Sequence, residues 1–276
     1  MLDLIGKYLP TNAAAHGGYL DHMTNLVHWL MLILFVGWGA YFLYVLFRFR
    51  SGRQAQADPV GAKGKISTYS EMGVAAVEAI LLLAFAVPAW AAWVTPHSNE
   101  DEVVVVRVVG EQFAWNIHYP GPDGEFGMGD INLISASNPM GLDPEDPAGK
   151  DDVTATNQLR LPVDKPIKVL LSSKDVIHSF GLPVMRVKQD AIPGMEVPVH
   201  FTPIKTNDGE AWEIACAQLC GLGHYRMRGF LTILPQGEYD EWMAAEVAKK
   251  MPEPVPEAEP EVEMTEAEAE APATAG

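Results

Sequence analysis

Two long apolar runs followed by a series of short alternating segments divide this chain. From Leu26 to Phe47 the sequence LVHWLMLILFVGWGAYFLYVLF carries no acidic or basic charge apart from the titratable His28. As a helix it is long enough to cross a hydrocarbon layer of roughly 30 Å. A second run, MGVAAVEAILLLAFAVPAWAAWV from Met72 to Val94, is interrupted by one carboxylate, Glu78. Its Pro88 is compatible with a membrane helix, because neighbouring groups re-satisfy the freed backbone. The pattern predicts a two-helix transmembrane hairpin over 26–95 with a connecting loop at 48–71. That loop holds Arg48, Arg50, Arg53, Lys63 and Lys65 against Asp58, and the positive-inside rule puts it in the cytoplasm. Both termini then face outward, including an N-terminal segment at 1–25 that lacks the basic start and apolar core of a cleavable signal.

Beyond residue 95 the periodicity changes. Segments at 103–110, 113–119, 156–163, 166–173, 198–203, 211–216 and 228–235 are rich in β-branched and aromatic residues and are separated by Gly, Pro, Asn and Asp clusters. Such spacing predicts an all-β sandwich or barrel over 96–236. Residues 120–152 have little strand pattern and read as a long surface excursion. A short helix is expected at 237–250. The tail at 251–276 contains eight glutamates and no Lys or Arg, so self-repulsion should keep it disordered.

Composition alone leaves the class open, because 48% hydrophobic residues and a net charge of -17 average over two unlike halves. The chemistry is concentrated in one place. Cys216 and Cys220, the only two cysteines, lie in CAQLCGLGHYRMRG with His224 and Met227. Two soft thiolates, a borderline imidazole and a soft thioether suit copper better than zinc, whose sites rarely recruit Met. A Cys2His2 zinc site remains the alternative on residue types alone. His178, in DVIHSFGLP, is placed at the end of a strand before a Gly-Pro turn and supplies a further ligand from a separate part of the β domain.

Two membrane spans, a β-rich outer domain, DVIHSF, KQDAIPG and CxxxCGxGHxxM, in this order, resemble subunit II of the cytochrome c oxidases in the haem-copper oxidase superfamily. The resemblance runs from about Leu26 to Pro235. It implies a cupredoxin-like domain holding CuA, a pair of copper ions bridged by Cys216 and Cys220. His178 and His224 would each cap one copper, with Met227 and the main-chain carbonyl of Gln218 as weaker ligands. It further implies a catalytic haem-copper subunit I and other oxidase subunits as partners, a c-type cytochrome as electron donor, and no nucleic acid.

Other positions take expected roles from the same resemblance. GEQFAWNIHY is similar to the family's aromatic segment, which makes Phe113 and Trp115 the expected route for incoming electrons. Asp175 matches a docking carboxylate, and Glu111 and an acidic loop (Asp143, Glu145, Asp146, Asp151, Asp152), with Glu100, Asp101 and Glu102, add negative charge that would steer a basic cytochrome. Glu78 resembles the glutamate at the mouth of a proton path, although the proline spacing differs. Gln218 stands where the family has a glutamate that reaches a magnesium ion, and Met195 stands where an arginine is expected. A neutral amide is a weaker partner for a hard cation, so copper is expected to be retained and magnesium weakened. A CuA subunit of a related nitrogen-oxide reductase is the alternative within the resemblance. A copper-free quinol oxidase subunit is disfavoured because all the ligand types are present.

Overall fold

The computed structural model describes residues 3–53, 60, 64–94 and 103–250. The acidic tail and the carboxylates at 100–102 lie outside the described residues.

The first membrane helix, α1 (Gly17–Arg48), starts well before the apolar run does. His22, Thr24 and Asn25 belong to the helix; the buried Asn25 accepts from Leu4 N at 2.9 Å and Thr24 donates to the Leu20 carbonyl of its own helix at 2.8 Å. The second span is α2 (Ile66–Leu81), one π-helical turn at Leu82–Ala86, and α3 (Val87–Val94). Pro88 explains the irregular turn. It has no N–H to give to the preceding turn and its ring crowds that turn's carbonyls, so the helix widens locally. The Tyr19 hydroxyl of α1 donates to the Phe85 carbonyl in that turn at 3.0 Å, tying the two spans together. Both helices expose large apolar side chains along their length, among them Phe35, Phe42, Leu83 and Trp90. These surfaces belong in lipid or against other membrane helices.

The β domain packs two five-stranded sheets face to face. One sheet has the order β3-β2-β1-β5-β8, from β1 (Val104–Glu111), β2 (Ala114–Tyr119), β3 (Val153–Thr156), β5 (Ile167–Ser173) and β8 (Val197–Phe201). The other has the order β4-β10-β9-β6-β7, from β4 (Gln158–Pro162), β6 (His178–Leu182), β7 (Val187–Ala191), β9 (Trp212–Cys216) and β10 (Arg228–Leu234). The pairings β1·β5 and β10·β4 are parallel and the rest antiparallel. Along β5 buried and half-buried residues alternate, so Ile167, Val169 and Leu171 face the core between the sheets with Trp115, Ile117, Phe180, Leu159 and Leu161. Helix α4 (Gln236–Lys250) closes one end, where Trp242 meets the Tyr119 ring.

Three strands were not legible as strands. β6 is buried at all five positions and so shows no alternation, β7 carries three polar residues, and β3 has only four residues. His178 is accordingly the first residue of β6, not the last residue of the preceding strand, and Gly181 lies within β6 instead of in a turn. The excursion at 120–152 is built from 3-10 turns whose Asp130 and Asp146 side chains accept from backbone N–H groups. At its base the buried Asp152 carboxylate meets His118 and accepts from Gly127 N.

Candidate metal centre

Sheet register determines where the ligands meet. β6 pairs with β9 so that Phe180 faces Cys216, which puts His178 and Cys216 at the same end of neighbouring strands. The chain then leaves β9, makes the loop 217–227 and returns as β10, which pairs back with β9 at Arg228 and Ala215. Cys216 N donates to Met227 O at 3.3 Å and Ala217 N donates to Ser179 O at 3.0 Å, closing the base of that loop and fastening it to β6. A hairpin loop held at both ends can fix several ligands with little freedom to move.

The side chains converge within this loop. Cys216 Sγ lies 3.8 Å from Cys220 Sγ, 3.9 Å from His178 Nδ1 and 3.3 Å from the Gln218 carbonyl. Cys220 Sγ lies 3.6 Å from His224 Nδ1 and 3.7 Å from Met227 Sδ. Each thiol therefore has one imidazole at its side, and the weaker donors divide between the two. His178, Cys220 and Met227 are buried, while Cys216 and His224 are half-buried. Burial, with the Cys216 thiol beside it, pushes the Cys220 thiol up to about 11. Bound cations supply the charge that favours a coordinating thiolate. The donor set fits copper.

Groups around the ligands hold them in place. The His178 ring presents Nδ1 to the thiol, and its Nε2 is 2.8 Å from Asp175 Oδ1. The same carboxylate accepts from Gln112 N at 2.8 Å and Val176 N at 2.7 Å. Burial alone would raise the Asp175 carboxyl, but hydrogen bonds from His178, Gln112 and Val176 hold it below the usual carboxylate range. Gln112 Nε2 donates to the Cys220 carbonyl at 2.5 Å. Sequence reasoning missed Gln112, although it lies inside the aromatic segment GEQFAWNIHY already singled out, and it assigned Asp175 to the surface alone. Trp115 is fully buried beneath His178 and edge-on to Phe180, with ring centroids 6.0 and 5.4 Å away. Phe113, in contrast, is half-buried under the copper-side loop. A Cβ on Gly223 would fall 2.4 Å from its ring, so glycine is what allows the loop to lie flat on Phe113. Gly221, at φ +134°, takes a backbone conformation that side chains disfavour.

The remaining sequence candidates are dispersed. Glu111 is ion-paired with Lys174 near the outer end of β1. Gln218 is exposed on the loop and so is Met195. Glu78 lies twelve residues into α2, about 18 Å from its start, in a groove with Met23, Val27, Leu30 and Leu34 of α1. It stands near the middle of the second span. The carboxylate nearer the start of α2 is Glu71, which accepts from Ser67 at 2.9 Å.

A two-helix anchor carrying a β-sandwich with a His/Cys/Cys/His/Met cluster at one end defines a membrane-bound, copper-binding protein of cupredoxin-like fold. A family model described as cytochrome c oxidase subunit II, periplasmic domain, matches residues 104–232. The alternative cytochrome c oxidase subunit 2 of Bradyrhizobium diazoefficiens is 37% identical over 248 residues, covering 88% of this chain and 86% of that protein. The haem-copper oxidase subunit 2 of Aeropyrum pernix is 28% identical over 236 residues, covering 78% and 88%. Among solved structures, the periplasmic domain of subunit II of cytochrome oxidase from Bradyrhizobium japonicum is 28% identical and covers 53% of this chain and 94% of that one, with a TM-score of 0.39. The chain belongs to the cytochrome c oxidase subunit II family. It is a component of a haem-copper oxidase complex, and its partners are the catalytic subunit I and other subunits of that complex.

Proposed function

We propose that this chain takes electrons from a c-type cytochrome at a dinuclear CuA centre and hands them to haem in the catalytic subunit, where oxygen is reduced and protons are pumped. The observation that carries the reading is the paired donor set, with each of two adjacent thiols flanked by its own imidazole. Cys216 and Cys220 would bridge the two ions, His178 and His224 would cap one each, and Met227 and the Gln218 carbonyl would complete them. Copper so bound supplies one-electron chemistry with small changes in bond length, because two shared soft thiolates spread the charge.

The chain's own residues do the rest. Asp175 orients the His178 ring, the closed base of the 217–227 loop resists ligand movement, and the Gln112 amide braces the loop at Cys220. Phe113 is the proposed route for incoming electrons, since it is the half-buried aromatic against the loop, and Trp115 continues that contact to His178. Electrons leave through His224. Asp175, Glu111 and the acidic excursion are proposed to attract the cytochrome. Glu78 is the proposed proton-path carboxylate, and the copper domain and both termini are proposed to face outward. Magnesium at the subunit I contact is proposed to be weak because Gln218 offers an amide.

Electron paramagnetic resonance with metal analysis of the purified oxidase tests the central point. A mixed-valence signal with two coppers for each copy of this chain is expected. A mononuclear copper signal, or zinc in the same site, would refute it.

A further inference from the structure

Before α1 begins, the chain is already part of the copper-binding domain. Ala13 N donates to Val184 O at 2.9 Å, Ala15 N to Thr202 O at 3.0 Å, and Ile204 N to Ala13 O at 2.8 Å. Ala14 bridges Pro203 in the manner of a strand, and Ala13 and Ala14 are fully buried. At the foot of this seam stands Arg186, in the turn between β6 and β7. Its guanidinium grips Asp21, one turn into α1, with Nε to Oδ1 at 2.7 Å and Nη2 to Oδ2 at 3.0 Å. The same group donates to the Pro10 carbonyl at 2.7 Å and the Pro183 carbonyl at 2.6 Å. The His16 ring at the start of α1 hydrogen-bonds the Arg186 backbone. This is a fork-to-fork ion pair with the arginine side chain only 11% exposed, the geometry in which arginine fixes direction as well as distance.

The backbone of Arg186 adds a second observation. Its φ is +53° and ψ +31°, left-handed values that cost an ordinary residue and suit glycine. The chain keeps an arginine there. The turn itself would be better served by glycine, so the side chain supplies the reason.

The clamp lies at the far end of the strand that begins with the copper ligand. β6 runs from His178 to Leu182, and Arg186 follows after one 3-10 turn. We infer that Arg186 is a positioning residue for electron transfer out of the copper domain: through Asp21 it bolts the strand bearing His178 to the head of the first membrane helix. The height and tilt of the site over the catalytic partner then follow from the helix. The inference rests on the CuA reading above. In the step concerned, one electron leaves the reduced copper pair and is taken up by the haem of subunit I, with no bond made or broken, so the protein influences it through distance and orientation.

The test uses the assembled oxidase with Arg186→Gly, which relieves the backbone, and Asp21→Asn. Amide exchange at Ala13, Ala15 and Ile204 should quicken in both. The copper resonance signal and the rate of copper reduction by cytochrome should stay as in the parent. Copper-to-haem transfer, followed after rapid photoreduction, should slow severalfold, because tunnelling falls off exponentially with the distance between donor and acceptor. The exchanged pair Asp21→Arg with Arg186→Asp should recover much of the rate, which a generally weakened fold would not. Where Arg186→Gly does not assemble, Arg186→Lys keeps the charge without the fork and is read in the same way. Unchanged copper-to-haem transfer in the variants, or loss of the copper signal along with it, would overturn the inference. Failure of the CuA reading would show separately, as a parent oxidase without the mixed-valence signal, while amide exchange still reports on the clamp.

Discussion

Replacing Asp175 by Asn separates two roles that one carboxylate could play. Both of its oxygens are engaged, Oδ1 with His178 Nε2 and Val176 N and Oδ2 with Gln112 N. Asparagine keeps one acceptor and turns an NH2 group towards an N–H donor, so at least one charge-assisted bond is lost whichever way the amide lies. Such a bond is worth about 1.5–3 kcal/mol, and the side chain is 32% exposed, so water screens part of it and the lower half of that range applies. At about 1.4 kcal/mol per factor of ten, copper affinity should fall roughly tenfold to fortyfold, within the range usual for partners that orient a metal-bound histidine. Competition with a copper chelator measures it. In parallel, turnover with cytochrome c is followed against ionic strength. The orienting role predicts weaker copper binding, and the docking role beside it predicts a shallower salt dependence. Copper affinity equal to the parent's, combined with a collapsed salt dependence, would refute the orienting role and leave Asp175 to docking alone.

Gly223→Ala drives a methyl to 2.4 Å from the Phe113 ring; it should cost about 1–3 kcal/mol by overpacking and slow copper reduction by cytochrome, with unaltered rates counting against Phe113 as the route. Met227→Leu conserves volume at a buried site and should cost less than about 1.5 kcal/mol, while redox titration should show a higher midpoint potential because the oxidised copper loses a donor; an unchanged potential would remove Met227 from the ligand set. Tyr119→Phe deletes a hydroxyl that accepts from Arg160 N at 2.8 Å and donates to Arg160 O at 3.2 Å; it should destabilise by about 1–3 kcal/mol, seen as a lower thermal midpoint of the copper-binding domain. Gln218→Glu should tighten binding of magnesium, or of manganese as its paramagnetic probe, without altering the copper signal, and a changed copper signal would show that the side chain is not independent of the site.

The local sequence announced the two spans, because a run of apolar residues long enough to cross a membrane is read without knowing what it contacts. It announced seven strands in the same way, by alternation or by β-branched runs. It failed where both faces of a strand are covered, as in β6, and where polar residues occupy a strand of the second sheet, as in β7. The thiol pair with its histidine and methionine was legible because all four sit on one loop, and His178 was reached through a motif. Gln112 was missed because an amide bracing a carbonyl leaves no pattern in its neighbours. The proton-path expectation for Glu78 came from its motif, in which the proline spacing differs, and the helix adds only that the residue stands twelve positions into α2 beside α1.

What the sequence determined by itself was the inventory: an anchor, a β domain and a soft donor set suited to copper. These depend on residue type and short spacing, which the local chain expresses directly. The tertiary structure decided which donor stands beside which. His178 meets Cys216 only through the register of β6 on β9, and the carboxylate of Asp175, beside His178 in sequence, is fixed from afar by Gln112 in the turn between β1 and β2. Arg186 and Asp21, 165 residues apart, are unremarkable in sequence and become a clamp once the turn between β6 and β7 meets the head of α1. Contacts made by distant segments arise from packing and sheet register, and those are properties of the whole chain.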